Sequence, residues 1–215
     1  MIIVGAGLRP ARNECLMTMD RKSIRKPGFD YSFPGYYFVT ICTHDGKSFL
    51  GSISDGVIHP SEIGTVVHRV WNGLIDHYSS LELDSFVLMP NHVHGVVRLV
   101  ESVGAGLRPA ESRVTLTEVV RALKSFSSRQ VNERRLLPAN TILWQRTFYD
   151  RIIRTEKELN IVRLYIKTNP LLWRFDPENS EKMIFNGKLD GFSEEESELV
   201  RNYLEYRVHR NDIRR

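Results

Sequence analysis

Hydrophobic positions change period along this chain, and the changes mark its elements. Tyr36 to Thr43 is a run of aromatic and β-branched residues closed by His-Asp-Gly, which predicts a strand and a turn. Gly51 to Pro60 reads as a short hairpin around Asp55-Gly56. From Ser61 and Glu62 the period becomes helical: Ile63, Val66, Val67, Val70, Trp71, Leu74 and Ile75 recur at three and four, predicting an amphipathic helix to about Tyr78. Leu83 to Met89 and Val93 to Val100 are β-rich runs broken by Pro90-Asn91, so an antiparallel pair or one bent strand is expected. A second helix is predicted over Leu116 to Val131, with Val119, Val120, Leu123 and Phe126 on its apolar side. Leu143 to Ile153 reads as a strand. Thr155 and Glu158 form a capping box for a third helix through Thr168, which Asn169-Pro170 stops. The order β, α, β, β, α, β, α predicts an α+β sheet with helices packed on it.

Composition bounds this picture. The 215 residues, 41% hydrophobic and 26% charged, suffice for one buried core and exclude disorder, collagen and a disulfide scaffold. No apolar run approaches the roughly 20 residues of a membrane helix, and the N-terminus lacks the blocks of a signal peptide, so a cytoplasmic protein with no membrane partner is expected. Cys15 and Cys42 form no C-x-x-C, which argues against a thiol zinc or redox site. One oddity remains: VGAGLRPA occurs at residues 4–11 and again at 103–110. Two copies make no solenoid; their Gly and Pro content suits surface insertions, and we read them as traces of repeated DNA in the gene. Met17 and Met19 follow the first copy, so the natural start is left open between Met1, Met17 and Met19. The expected organisation is a non-core extension over 1–18, a domain over 19–177 and a charged tail over 178–215, with Ser193 and Glu196 capping a last helix.

Chemistry concentrates in two places. His92-Val93-His94 begins a strand, so both imidazoles share one face while Val93 points to the other. Two such histidines can grip one divalent ion, although a satisfied pair is the commoner meaning of the motif alone. An oxygen as third ligand would shift the expected metal towards Mg²⁺ or Mn²⁺. In "NIVRLYIKTNP", Tyr165 and Asn169 are four apart and share a helix face. Tyr165 is open to reading as a core tyrosine and Asn169 as a helix cap. Beside a metal, a tyrosine can instead attack a polarised phosphate.

The net charge of +4 is unevenly spread. Residues 113–154 hold nine Lys and Arg against three acids. Arg121, Lys124, Arg146, Arg151 and Arg154 in that segment, with Arg21, Lys22, Arg25 and Lys26 in a basic arm, are the candidates for holding a nucleic acid backbone. Trp144, Phe148 and Tyr149 lie among them and could stack bases. The bland alternative is a solvated basic face beside core aromatics.

The motifs "YYFVTICT", "FVLMPNHVHGVV", "LWQRTFYDRIIRTEKEL" and "YIKTNP", in this order over about residues 20–177, resemble the REP-associated tyrosine transposases, a branch of the single-tyrosine HUH transposases related to the IS200-like kind. The resemblance implies a ferredoxin-like antiparallel sheet with helices packed on it, followed by a helical tail. It places His92, His94 and Asn169 as metal ligands and Tyr165 as nucleophile; at the place of Asn169, one turn after Tyr165, many relatives carry Gln. Tyr149, in "FYD", is the rival nucleophile by sequence, but belongs to a strand in this pattern. The implied activity is cleavage and rejoining of single-stranded DNA with palindromic hairpins, with Mg²⁺ or Mn²⁺ and a covalent 5′-phosphotyrosine, by a monomer or a homodimer. Two other functions compete: a catalytically silent hairpin-binding protein, and a metal-dependent phosphoesterase that uses water while Tyr165 is structural.

Overall fold

A computed structural model of the chain describes residues 28–101, 114–176, 178–179, 193–194, 197–198 and 200–201. The basic arm Arg21, Lys22, Arg25 and Lys26, Cys15, both VGAGLRPA copies and most of the charged tail lie outside the described residues.

The strands are β1 (Gly35–Cys42), β2 (Gly51–Ser54), β3 (Val57–Pro60), β4 (Leu81–Leu88), β5 (His92–Leu99) and β6 (Tyr149–Ile153); the helices are α1 (Glu62–Asn72), α2 (Leu116–Glu133) and α3 (Glu156–Thr168). A four-stranded sheet runs β4-β5-β1-β6 and every neighbouring pair is antiparallel. With the small hairpin β2-β3 set aside, the order β1, α1, β4, β5, α2, β6 is the βαββαβ ferredoxin-like plan. Pro90 and Asn91 therefore turn the chain between two paired strands; they do not bend one.

Each helix starts where a side chain takes up an orphan backbone N–H. Ser61 Oγ accepts from Gly64 N at 3.0 Å, Thr115 and Glu118 form a reciprocal capping box, and Thr155 Oγ1 accepts from Glu158 N at 3.1 Å. The strand expected from Leu143 is confined to Tyr149–Ile153. Residues before it run along the end of β1 instead, with His44 N donating to Leu143 O and Gln145 N to Cys42 O.

Period-two alternation divides the sheet into two unlike faces. Tyr37, Val39, Ile41, Val93, Val97 and Leu99 point to one side and pack with α1 and α2. Gly95 sits in that row because the Trp71 ring crosses it; Trp71 stacks on Phe86 with centroids 4.7 Å apart. Phe38 and Val96 point to the other side, where Leu159, Val162, Tyr165 and Ile166 of α3 cover them. Among the described residues no helix is long and apolar enough to cross a membrane.

Candidate active site

β5 and β1 are the two central strands, and their pairing sets Cys42 opposite His92 and Thr40 opposite His94. Alternation puts both imidazoles on the α3 face, where His92 is 0% and His94 2% exposed. His92 Nδ1 is bonded to Asn91 Oδ1 at 2.9 Å. The Asn91 amide is orientated from its other end, since Nδ2 donates to the carbonyls of Gly46 at 3.1 Å and Glu178 at 2.7 Å. Oδ1 can only accept, so Nδ1 of His92 carries its proton and Nε2 presents a lone pair. His94 Nδ1 is bonded to Thr40 Oγ1 at 2.9 Å, and Phe38 stacks on the ring at 5.3 Å. Both rings are thus held through Nδ1, and their Nε2 atoms converge to 3.0 Å.

α3 delivers the third group. Its buried stripe presses Tyr165 onto β5, with the phenol oxygen 3.1 Å from His94 Nε2 and only 5% of the residue exposed. Asn169, one turn on, is 0% exposed, and neither its Oδ1 nor its Nδ2 has a hydrogen-bond partner among the described residues. Leaving a buried amide unpaired costs about 1–3 kcal/mol per polar atom, so such a group is unusual without a ligand to meet it.

Past Pro170 the chain turns back on itself: Leu172 N donates to Thr168 O, Phe175 N to Leu172 O and Asp176 N to Trp173 O. The turn sets the Trp173 ring 6.1 Å from that of His92 and buries Asp176 to 2%. One ligand atom each from His92, His94 and Asp176 lies within 4.8 Å of the others. Sequence reasoning did not single out Asp176. It sits among other charged residues beyond a helix stop, where no period relates it to Tyr165; its place before a proline is the one local sign of a turn.

These donors fit a divalent ion. The two Nε2 atoms, 3.0 Å apart, and the Asp176 carboxylate lie close enough together to serve one ion. Two imidazoles and a carboxylate make a mixed nitrogen and oxygen set that a divalent ion can use.

Among the basic residues singled out from sequence, Arg121, Arg146 and Arg154 are exposed. Lys124 is turned inward: Nζ donates to the carbonyls of Gln145 at 2.8 Å, Thr147 at 2.9 Å and Arg146 at 3.4 Å, and its burial pushes its pKa down to about 8. Arg151 is ion-paired with Glu158 at 2.6 Å. Trp144 is not free to stack bases, as it lies in the core with Nε1 donating to Ser127 Oγ at 2.9 Å. Tyr149 stands on the α3 face opposite Thr40, half-buried against the cluster around Phe38.

The family model described as "Transposase IS200 like" matches residues 57–169. A curated relative from Haemophilus influenzae (strain ATCC 51907 / DSM 11121 / KW20 / Rd), described only as an uncharacterized protein, is 30% identical over 167 residues, covering 73% of this chain and 91% of the relative. A solved REP-associated tyrosine transposase bound to a REP hairpin aligns with a TM-score of 0.47 at 16% identity, over 68% of this chain and 71% of that one.

Proposed function

The chain belongs to the IS200-like transposases, and we propose that it cleaves and rejoins single-stranded DNA through a covalent 5′-phosphotyrosine at Tyr165. The observation that carries this reading is the Tyr165 hydroxyl 3.1 Å from His94 Nε2, at the rim of a buried pair of imidazoles whose Nε2 atoms converge.

His92, His94 and Asp176 would hold a divalent ion, with the Asn169 amide oxygen as a further donor. The chemistry such an ion supplies when bound is withdrawal of charge from a scissile phosphate. Asn91 and Thr40 hold the imidazoles by Nδ1 and so keep Nε2 directed into the site. Tyr165 attacks phosphorus: the new bond joins its phenol oxygen to phosphorus, the bond to the 3′ oxygen breaks, and that oxygen leaves as a 3′-hydroxyl after taking up a proton. The proton that the phenol gives up in the same step balances the one that the 3′ oxygen takes up. A second 3′-hydroxyl reverses the reaction and frees Tyr165. The phosphodiester energy stays in the phosphotyrosine, so no nucleotide triphosphate is consumed.

The substrate we propose is single-stranded DNA bearing short palindromic hairpins, on the strength of the motifs shared with the REP-associated branch. Exposed Arg121, Arg146 and Arg154, together with the basic arm, are the proposed backbone contacts. The acting unit we propose is a monomer or a homodimer.

The test incubates the protein with single-stranded hairpin DNA from the flanks of its own gene and Mn²⁺ or Mg²⁺, and resolves the products on a denaturing gel. A covalent adduct that disappears in Tyr165→Phe while hairpin binding persists is the expected result. Cleavage unchanged in Tyr165→Phe would assign the reaction to water, and binding without cleavage by the wild type would make the protein a hairpin binder only.

A further inference from the structure

β4 contains a β-bulge between Leu83 and Ser85. Glu82 and Leu83 pair with Arg98 and Val97, but Val96 is met by Ser85, so Asp84 is an extra residue on one strand. A bulge of this kind re-aims side chains. On its near side Leu81 and Leu83 face α1 and α2; on its far side Phe86 and Leu88 do, and the inserted residue lets both sets reach the same core. The extra carboxylate is directed to the opposite face, where α3 lies.

There Asp84 meets Arg163. Arg163 Nε donates to Asp84 Oδ1 at 2.9 Å and Nη2 donates to Oδ2, a two-pronged pair in which the carboxylate side chain is 14% exposed. Both partners are braced: Ser85 Oγ donates to Asp84 Oδ1 at 2.7 Å, and Arg163 Nη1 donates to Asn160 Oδ1 at 3.2 Å. An exposed ion pair is ordinarily worth little, but forked geometry with buttressed partners is the case where it fixes direction. At the other edge of the sheet, Glu158 near the start of α3 pairs with Arg151 of β6. The helix is thereby tied to both edge strands, β6 and β4, across the two central strands that carry the histidines and Thr40.

We propose that Asp84 is a positioning residue for Tyr165: through its forked pair with Arg163 it sets the rotation and slide of α3, and so the distance of the phenol oxygen from the histidine pair. Arg163 precedes Tyr165 by two residues, about 3 Å along a stiff helix, so a displacement at one is passed to the other. Apolar contact fixes the rotation and slide of a helix less strictly than a guanidinium fork does. The proposal rests on the reading of Tyr165 as nucleophile, and it also makes a claim about α3 that needs no DNA.

The experiment therefore has two readouts on full-length protein: amide hydrogen exchange across residues 156–168 by mass spectrometry, and the rate and substrate dependence of covalent adduct formation with single-stranded hairpin DNA and Mn²⁺. In Asp84→Ala and in Asp84→Arg the exchange of α3 should accelerate, and adduct formation at saturating DNA should slow by on the order of 10-fold or more, while hairpin affinity stays within about 2-fold. Exchange of Asp84 and Arg163 as Asp84→Arg with Arg163→Asp should recover rate and protection relative to either single variant, whereas Arg163→Lys, which loses the fork, should resemble Asp84→Ala. Glu82→Ala, which breaks the Glu82–Arg98 pair between neighbouring strands, is the control and should change neither readout. The proposal is overturned if Asp84→Ala reacts and exchanges like wild type, or if the swap is no better than the single variants. A wild type that forms no adduct would remove the nucleophile reading; unaltered exchange in Asp84→Ala would remove the latch.

Discussion

Replacing Asn91 by alanine tests how the His92 imidazole is held. Asn91 is 4% exposed, and its amide makes three hydrogen bonds: from His92 Nδ1, to Gly46 O and to Glu178 O. At about 1 kcal/mol net for each, alanine should cost about 3 kcal/mol of stability. With a urea slope of about 2–3 kcal/mol per M, the unfolding midpoint should fall by roughly 1 M or somewhat more. The second consequence is separable from the first. Without Oδ1 nothing holds the proton of the His92 ring on Nδ1, so the tautomer protonated on Nε2, which cannot bind a metal through that atom, becomes populated. Loss of such an orientating partner lowers metal affinity about 10–100-fold. Isothermal titration with Mn²⁺ at a urea-free temperature well below unfolding reads that change. Asn91→Asp separates the two effects: the carboxylate still accepts from Nδ1 but cannot donate to the two carbonyls, so stability should drop while Mn²⁺ affinity is retained better than in alanine. An Asn91→Ala protein with wild-type stability and wild-type Mn²⁺ binding would refute the reasoning.

Three further outcomes are expected. Asp176→Asn should weaken Mn²⁺ binding by about 10-fold or more, measured by titration, because it removes the anionic donor beside His92 and His94. Gly95→Ala should destabilise by about 1–3 kcal/mol in denaturant melts, since the added carbon would lie 2.8 Å from Trp71 Cζ2 and nearer still to Cη2 in a packed interior. Lys124 titrates near 8 in the fold because it is buried, against 10.5 in the open chain, so between these values the unfolded state holds the extra proton and stability should rise with pH. Lys124→Met should abolish that rise in melts taken from pH 7.5 to 10.5, and a slope that survives would place its origin elsewhere.

Alternation along β5 made the shared face of His92 and His94 legible from sequence, and the spacing of four did the same for Tyr165 and Asn169, because both depend on one regular element. What regularity does not describe was hidden. Asp176 reaches the histidines only through the turn after Pro170, and Asp84 matters because its strand breaks period two. Charge misled in the opposite sense: Lys124 reads as a phosphate contact, but its donors end on the carbonyls of Gln145, Arg146 and Thr147, and Trp144 fills a core position. The reach to Leu143 assigned to the last strand failed because residues 143–148 carry strand-like side chains while Leu143 O and Gln145 N bond to His44 N and Cys42 O, and the carbonyls of Gln145, Arg146 and Thr147 accept from Lys124.

The division of the sheet into two faces has a consequence for substitutions. On β5, Val93, Val97 and Leu99, which pack with α1 and α2, alternate with His92, His94 and Val96, which face α3. Substitutions at His92 or His94 would therefore change the polar groups under α3 while leaving the row that packs against α1 and α2 untouched.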